Sequence, residues 1–291
     1  MANILMTGGS GLLAVNWARQ VSNIHSVTIG LHQRKVNLPS VRSILLNLES
    51  VDDIRKVLDD FLVDIVIHTA AISNIELCEA QPELAHHVNV QLTKNVALAS
   101  KLHGSKLIHI STDHLFDGQT EMLSEDDAIS PLNIYAKTKA QSENIVSDLC
   151  PSALIVRTNF YGWGTSYRKS FSDQIISSVQ AGVKINLFED VFYTPILINV
   201  LVDTVHQLII KTYSGTFNIV SDQRLSKYDF GKLLAEEFNL DSSLISRSQL
   251  RKRGDLVIRP LDMSLTNRKV TKALGFQLGD VESHLDLLKK S

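Results

Sequence analysis

Tyr135, Lys137 and Lys139 stand close together in the stretch "NIYAKTKAQSE", Asn133 to Glu143. A phenol with an ordinary pKa near ~10 is a poor proton donor or acceptor at neutral pH, and a nearby ammonium lowers that value. A helix turns by about 100° per residue, so position i+4 returns to the starting face while i+2 lies nearly opposite. If the segment is helical, Tyr135 and Lys139 share a face and make a tunable acid/base, and Lys137 looks away. A hydroxyl to work with them lies upstream. "HISTDHLFDG" puts Ser111 and Thr112 at the C-terminal end of an apolar run, where doubly wound sheets bind their ligands.

A second constellation opens the chain. In "MTGGSGLLA" the residues Gly8, Gly11 and Ala14 are spaced three apart, between an apolar run and a helical pattern. A tight turn needs backbone angles that glycine tolerates, and a pyrophosphate must reach amides at a helix N-terminus. The third position needs only a small residue for close helix–strand packing. Gly8, Ser10, Gly11, Leu12, Leu13 and Ala14 are therefore the expected phosphate-binding turn of a dinucleotide site. The run after the second strand, "GLHQRKVN", has no acid and carries Arg34 and Lys35. That favours the 2′-phosphate of NADP(H) over NAD(H). "DIVIHTAA" ends another strand with Thr69, Ala70 and Ala71, small enough for a cofactor to lie against.

The elements that must hold these residues follow from the apolar rhythm. Strands are expected at 2–7, 26–31, 64–71, 105–112 and 153–159, alternating with helices at 11–22, 50–62, 82–103 and about 15 residues from the tyrosine segment. Ser50 and Asp53 have capping-box spacing, as do Ser226 and Asp229. Alternating elements with continuous apolar strands predict an α/β fold with a doubly wound parallel sheet. After Asn159 the rhythm breaks into a smaller mixed α/β region. Residues 1–158 with about 196–220 are expected to form the Rossmann domain, and about 159–195 with 221–291 the substrate-binding region.

Bulk composition narrows the partners. The 291 residues carry 29 basic and 31 acidic side chains, a formal net charge of −2, with 44% hydrophobic residues. Nothing in that balance favours nucleic acid or an anionic membrane. No apolar run reaches the roughly 20 residues that span a bilayer, and the start has no basic n-region. Cys78 and Cys150 are far apart, so each is expected as a buried free thiol, with the cytoplasm as compartment. Ten histidines include no His-x-x-x-His pair, and no metal site is expected. "GGSGL" misses the Gly-x-Ser-x-Gly elbow by one position, which argues against a serine hydrolase.

The glycine turn, the small-residue strand end, "STDHLFDG" and "SPLNIYAKTKAQSE", in this order, resemble an extended short-chain dehydrogenase/reductase. Within that superfamily they are similar to the dTDP-4-dehydrorhamnose reductase branch, as are "ALIVRTNFYGWG", "GTFNIVSDQRLSKYDF" and "RPLDMSLTNRKVTKALGF". The resemblance implies a catalytic set of Thr112, Tyr135 and Lys139, with Lys139 also binding the nicotinamide ribose. It further implies that Asn47-Leu48 stands beside adenine, and that Asn89 matches a cofactor-site asparagine on the following helix. His114 replaces the usual tyrosine, Ala14 a glycine and Asn47 an aspartate. The implied activity is NADPH-dependent reduction of a nucleotide-linked 4-keto-6-deoxysugar, in deoxysugar and polysaccharide biosynthesis. The nucleotide of a nucleotide-diphosphate sugar is expected near Arg224 or Arg259, and a homodimer is compatible with the family. Two alternatives remain: a nucleotide-sugar epimerase or dehydratase, and a cofactor-binding regulatory subunit resembling the methionine adenosyltransferase beta subunit.

Overall fold

The computed structural model describes residues 1–291, which fall into two compact units. The first unit comprises Met1–Thr112, Asn133–Val156 and Ile210–Thr216. In chain order it holds β1 (Asn3–Thr7), α1 (Leu12–Val21), β2 (Ser26–Leu31), β3 (Val41–Leu45), α2 (Val51–Asp60) and β4 (Ile65–His68). Then come α3 (Ile75–Ala80), α4 (Pro82–His86), α5 (Leu92–His103), β5 (Lys106–Ile110), α6 (Ile134–Leu149) and β6 (Leu154–Arg157). A strand at Gly215–Asn218 completes a seven-stranded sheet, which runs from it through β6, β5, β4, β1 and β2 to β3. Neighbours from β3 to β6 pair in parallel.

Helices cover this sheet, so its central strands are apolar on both faces. Leu5, Val66, Leu107 and Ile155 pack with Ile54 and Leu58 of α2 and Val96 and Ala97 of α5. Strand β3 is at the edge and mostly exposed. That is why its residues carry no apolar run for the sequence to reveal. Ser50 caps α2 by accepting from the Asp53 amide at 3.1 Å. Asp53 instead accepts from the Asn47 side chain at 2.9 Å, so the box expected there closes on one side only. The helix expected over 82–103 is interrupted: a π-helical turn, His87–Gln91, separates α4 from α5. Such turns recur at functional sites.

The second unit comprises Asp113–Leu132, Arg157–Ile209 and Phe217–Ser291. The segment 196–220 thus divides, with 210–216 in the first unit and the rest in the second. The second unit's strands are β7 (Phe160–Tyr161), β8 (Ile185–Phe188), β9 (Phe192–Tyr193), β10 (Ile196–Leu197), β12 (Leu225–Ser226) and β13 (Ile245–Ser248), Gly215–Asn218 being β11. Its helices are α7 (Phe171–Gln180), α8 (Ile198–Ile210), α9 (Lys227–Glu237), α10 (Arg268–Leu274) and α11 (Val281–Lys290). Phe230 of α9 anchors the core. Its ring centre lies 4.9 Å from that of Tyr161, 5.8 Å from Phe171 and 6.1 Å from Tyr193. The Ser226–Asp229 capping box closes in both directions, and a second box at Ser170–Asp173 starts α7. Cys78 and Cys150 are buried free thiols. No helix is long and apolar enough to cross a membrane.

Candidate active site

Helix α6 is built to hold its first turn still. Asn133 at the N-cap accepts from the Ala136 amide at 2.9 Å, and Glu79 accepts from the Ile134 amide at 3.1 Å. These acceptors satisfy donors that a helix leaves orphaned. Tyr135 and Lys139 are buried and Lys137 is exposed, as the angular spacing requires. Lys139 Nζ donates to the carbonyl of Ile110, the last residue of β5, at 2.7 Å. The ammonium therefore sits at the strand end that carries Ser111 and Thr112. Burial pushes it down to about 8 from the ordinary 10.5, and Glu143 one turn along opposes that fall. The ammonium thus sits closer to its deprotonation point than a solvated lysine does, and a charge so placed can act on a nearby phenol.

Two histidines lie beneath this lysine. His68 and His109 are register partners in β4 and β5, and their rings stack with centres 5.5 Å apart. Thr93 Oγ1 donates to the Asn89 carbonyl at 2.7 Å, so it accepts from His68 Nε2 at 2.9 Å. That leaves His68 Nδ1 to accept from Thr7 Oγ1 at 2.7 Å. Ser142 Oγ likewise donates to the Lys139 carbonyl at 2.7 Å and accepts from His109 Nε2 at 3.1 Å. Lys139 Nζ is 3.4 Å from the same nitrogen. Sequence reasoning missed this layer. Its signal was present as one histidine near the end of each of two apolar runs, "DIVIH" and "KLIHI".

Both imidazoles are neutral. Burial first, and the Lys139 charge second, pull His68 down to about 3 and His109 well below 6.5. Unfolded, each takes up a proton below about pH 6.5. The unfolded state therefore binds more protons between pH 6.5 and the folded values, and stability falls as the pH drops through that window. The stabilisation is complete above pH 6.5, and His68's share is gone by about pH 3. Denaturant melts at pH 7 and pH 5 should show His109→Gln losing less stability than the wild type, by roughly 1–2 kcal/mol for one fewer titrating ring. Equal losses would show that His109 is protonated in the folded protein.

The glycine turn is tight and closely packed. Gly8 has φ +66°, and the Gly11 amide donates to its carbonyl at 2.7 Å. A Cβ on Gly8 would lie 2.8 Å from the backbone of Ala70. Thr69 fixes that approach by donating its hydroxyl to the Thr7 carbonyl at 2.8 Å. No side chain caps α1, and no acid stands in its first turn. Its leading amides around Ser10, Leu12 and Leu13 therefore suit an anion. Ala14 is fully buried behind the turn. Arg34 and Lys35 are exposed in the loop after β2.

Asn89 braces the helix that carries Tyr135. It lies in the π turn, fully buried. Its Oδ1 accepts from the Ile72 amide at 2.8 Å, and its Nδ2 donates to the Ile72 carbonyl at 3.1 Å and to Thr138 Oγ1 at 3.0 Å. Thr138 in turn donates to the Tyr135 carbonyl at 2.8 Å. Both amide hydrogens are thereby committed to bracing the strand end and the tyrosine's helical turn. Asn47 is exposed and bonded to Asp53, with Leu48 beside it partly buried in the core. In the second unit Arg224 is ion-paired to Asp262 and, at 3.3 Å, to Glu121, and lies 4.0 Å above the Phe192 ring. Both carboxylates belong to the same unit as Arg224. Arg259 Nε donates to the Val257 carbonyl at 3.1 Å.

A parallel Rossmann sheet, a glycine turn after β1 and a Tyr-x-x-x-Lys pair docked on the end of β5 define an extended short-chain dehydrogenase/reductase. Within that class the chain belongs to the RmlD substrate binding domain family, whose sequence model matches residues 1–290. It is 29% identical over 288 residues to a probable low-salt glycan biosynthesis reductase of Haloferax volcanii, covering 98% of this chain and 96% of that one. It is 30% identical over 249 residues to methionine adenosyltransferase 2 subunit beta of Rattus norvegicus, covering 82% and 73%. Its fold matches the crystal structure of dTDP-4-dehydrorhamnose reductase from Bacillus anthracis in complex with NADP. The TM-score is 0.84 at 24% identity, with 99% of each chain covered.

Proposed function

We propose that this protein is an NADPH-dependent reductase of a nucleotide-linked 4-keto-6-deoxysugar. The observation that carries the reading is the α6 face itself, with Tyr135 and Lys139 buried together and Lys139 Nζ docked on Ile110 O. The family membership and the reductase names among the relatives support it. Gly8 to Ala14 would hold the pyrophosphate, Thr69 to Ala71 the nicotinamide side, and Arg34 and Lys35 the 2′-phosphate. Asn47 and Leu48 would border the adenine. The bound cofactor supplies the hydride.

The chain's own residues do the rest. Tyr135 gives its hydroxyl proton to the carbonyl oxygen as that oxygen becomes an alkoxide. Thr112 donates a hydrogen bond to the same oxygen and stabilises its charge. Lys139 favours the phenolate that Tyr135 leaves behind and donates to the ribose hydroxyls. The Asn89–Thr138 relay keeps the Tyr135 turn from drifting, because a small misplacement of a proton donor is costly.

The test combines turnover and binding. Incubation with NADPH and a panel of nucleotide-4-keto-6-deoxysugars should consume the reduced cofactor, followed by its absorbance. By calorimetry NADPH should bind more tightly than NADH, and Arg34→Ala with Lys35→Ala should narrow the gap. Equal affinities in the wild type would remove the NADP preference. The likeness to methionine adenosyltransferase 2 subunit beta favours a second reading, a regulatory subunit. Tight NADPH binding without oxidation on any sugar, together with stable association with a partner enzyme, would decide for it.

A further inference from the structure

Tyr135 and Lys139 each have a hydroxyl three residues further along α6 that donates to their own carbonyl. Thr138 donates to the Tyr135 carbonyl at 2.8 Å and Ser142 to the Lys139 carbonyl at 2.7 Å. Bonding back to the helix spends a hydroxyl's only hydrogen and leaves its lone pairs. In both cases a buried side chain from another element fills one of them. Asn89 Nδ2 of the π turn reaches Thr138 at 3.0 Å, and His109 Nε2 of β5 reaches Ser142 at 3.1 Å. Ser142 and His109 are both buried, and both belong with Lys139 to the first unit.

The strut from His109 also touches the lysine side chain. Because Ser142 can only accept, His109 keeps its proton on Nε2. Its Nδ1 is then a bare lone pair, buried with no hydrogen-bond partner. Buried polar groups normally find partners, so this orphan needs a reason. The tautomer that Ser142 imposes supplies it. Lys139 Nζ lies 3.4 Å from the same Nε2. An ammonium and an imidazole N–H are both donors, so the ring deflects the lysine instead of binding it. The bond that Nζ does make is to the Ile110 carbonyl at 2.7 Å. The titratable groups around the ammonium are His109 of β5, His68 of β4 and Glu143 of α6. Both imidazoles are neutral, so neither adds a charge of its own.

We propose that Ser142 and His109 are positioning residues for Lys139. The Ser142 hydroxyl fixes the His109 tautomer, and the imidazole N–H then keeps the ammonium on the Ile110 carbonyl, at the strand end that carries Thr112. This rests on the reductase reading above and adds two residues to the machinery that reading assigns to α6 and β5.

The test is nuclear magnetic resonance of Ser142→Ala with labelled histidine and lysine, beside steady-state turnover. Without the hydroxyl, His109 Nε2 gains by losing its proton to Nδ1 and accepting from Lys139. Nitrogen shifts should therefore show the Nε2–H tautomer in the wild type and the Nδ1–H tautomer in Ser142→Ala. The Lys139 Cε signal, assigned by its loss in Lys139→Met, should titrate near 8 in the wild type. In Ser142→Ala it should titrate higher by about one pKa unit or more, because the ammonium gains an acceptor. Turnover should fall by about 10- to 100-fold as the ammonium is drawn toward the ring. His109→Gln, whose amide can still donate to Ser142, should lose less turnover than His109→Leu. Ser100→Ala is the control for a buried serine lost from the neighbouring helix α5, where the hydroxyl has no partner. It should leave both the tautomer and the lysine titration as in the wild type. An unmoved lysine titration in Ser142→Ala overturns the proposal, and so does a shift of equal size in Ser100→Ala. A wild type that reduces no nucleotide sugar defeats the reductase reading, whereas the resonance measurements need no substrate and still decide whether Ser142 and His109 position Lys139.

Discussion

Lys139→Met should cut turnover by about 10²–10⁴-fold, the usual share of general acid/base assistance, while Lys137→Met stays within a few-fold. Lys139 is buried with its ammonium on the Ile110 carbonyl, and Lys137 is exposed on the opposite side of α6. Removing the first takes away the charge that favours the phenolate of Tyr135. Removing the second changes an exposed helical position, usually worth under about 0.5 kcal/mol. The loss at Lys139 will not be a loss of fold. Burial lowers its pKa from 10.5 to about 8, so between those values the unfolded chain holds a proton that the folded one does not. Wild-type stability therefore rises with pH from about 8 to 10.5, and the cost of the buried charge is present in full below pH 8. Melts at pH 7 should find Lys139→Met close to wild type in stability, with the difference moving in favour of the wild type at pH 10. Comparable losses of turnover at both lysines would place the chemistry elsewhere.

Gly8→Ala should abolish useful cofactor binding, with NADPH affinity down by about 10²-fold or more. The new methyl would stand 2.8 Å from Ala70 backbone atoms, with φ at +66°. The methyl cannot be relieved by a side chain turning aside, because the obstacle is main chain tied to β1 through Thr69. The turn must move, and losing one or two charge-assisted amide contacts to a pyrophosphate, at about 1.5–3 kcal/mol each, gives the stated effect. Gly104→Ala is the control. It has φ +87° but open space around the would-be Cβ, so it should cost about 1 kcal/mol of stability and leave binding alone. Wild-type NADPH affinity in Gly8→Ala would refute the assignment of the turn.

Much of the site was legible because its rules are local. The spacing Tyr135-x-x-x-Lys139 fixes a shared helical face whatever the rest of the chain does. The glycines of "MTGGSGLLA" announce a strand-to-helix turn for the same reason. Asn89 shows where such reading stops. The resemblance marks its position, and only the structure shows that a π turn buries its carboxamide against Ile72 and Thr138. One extra residue per turn rotates a side chain away from where regular periodicity puts it. Arg224 is a second case. A basic residue in a loop says nothing of Asp262, 38 positions away, until the chain folds.

From its sequence alone this protein is an alternating α/β chain with a glycine turn, a Tyr-x-x-x-Lys pair on one helical face and no acid after its second strand. Periods of 2 and 3.6 residues and the special backbone of glycine are written within a few neighbouring positions. Only the tertiary structure decided that β4 and β5 lie side by side in register, so that His68 stacks on His109 beneath Lys139. It alone set the Lys227 ammonium on the faces of Tyr193 and Phe171. Those neighbours are tens of residues apart along the chain. Their meeting is determined by sheet order and core packing, which depend on the free energy of the whole fold and on no local pattern.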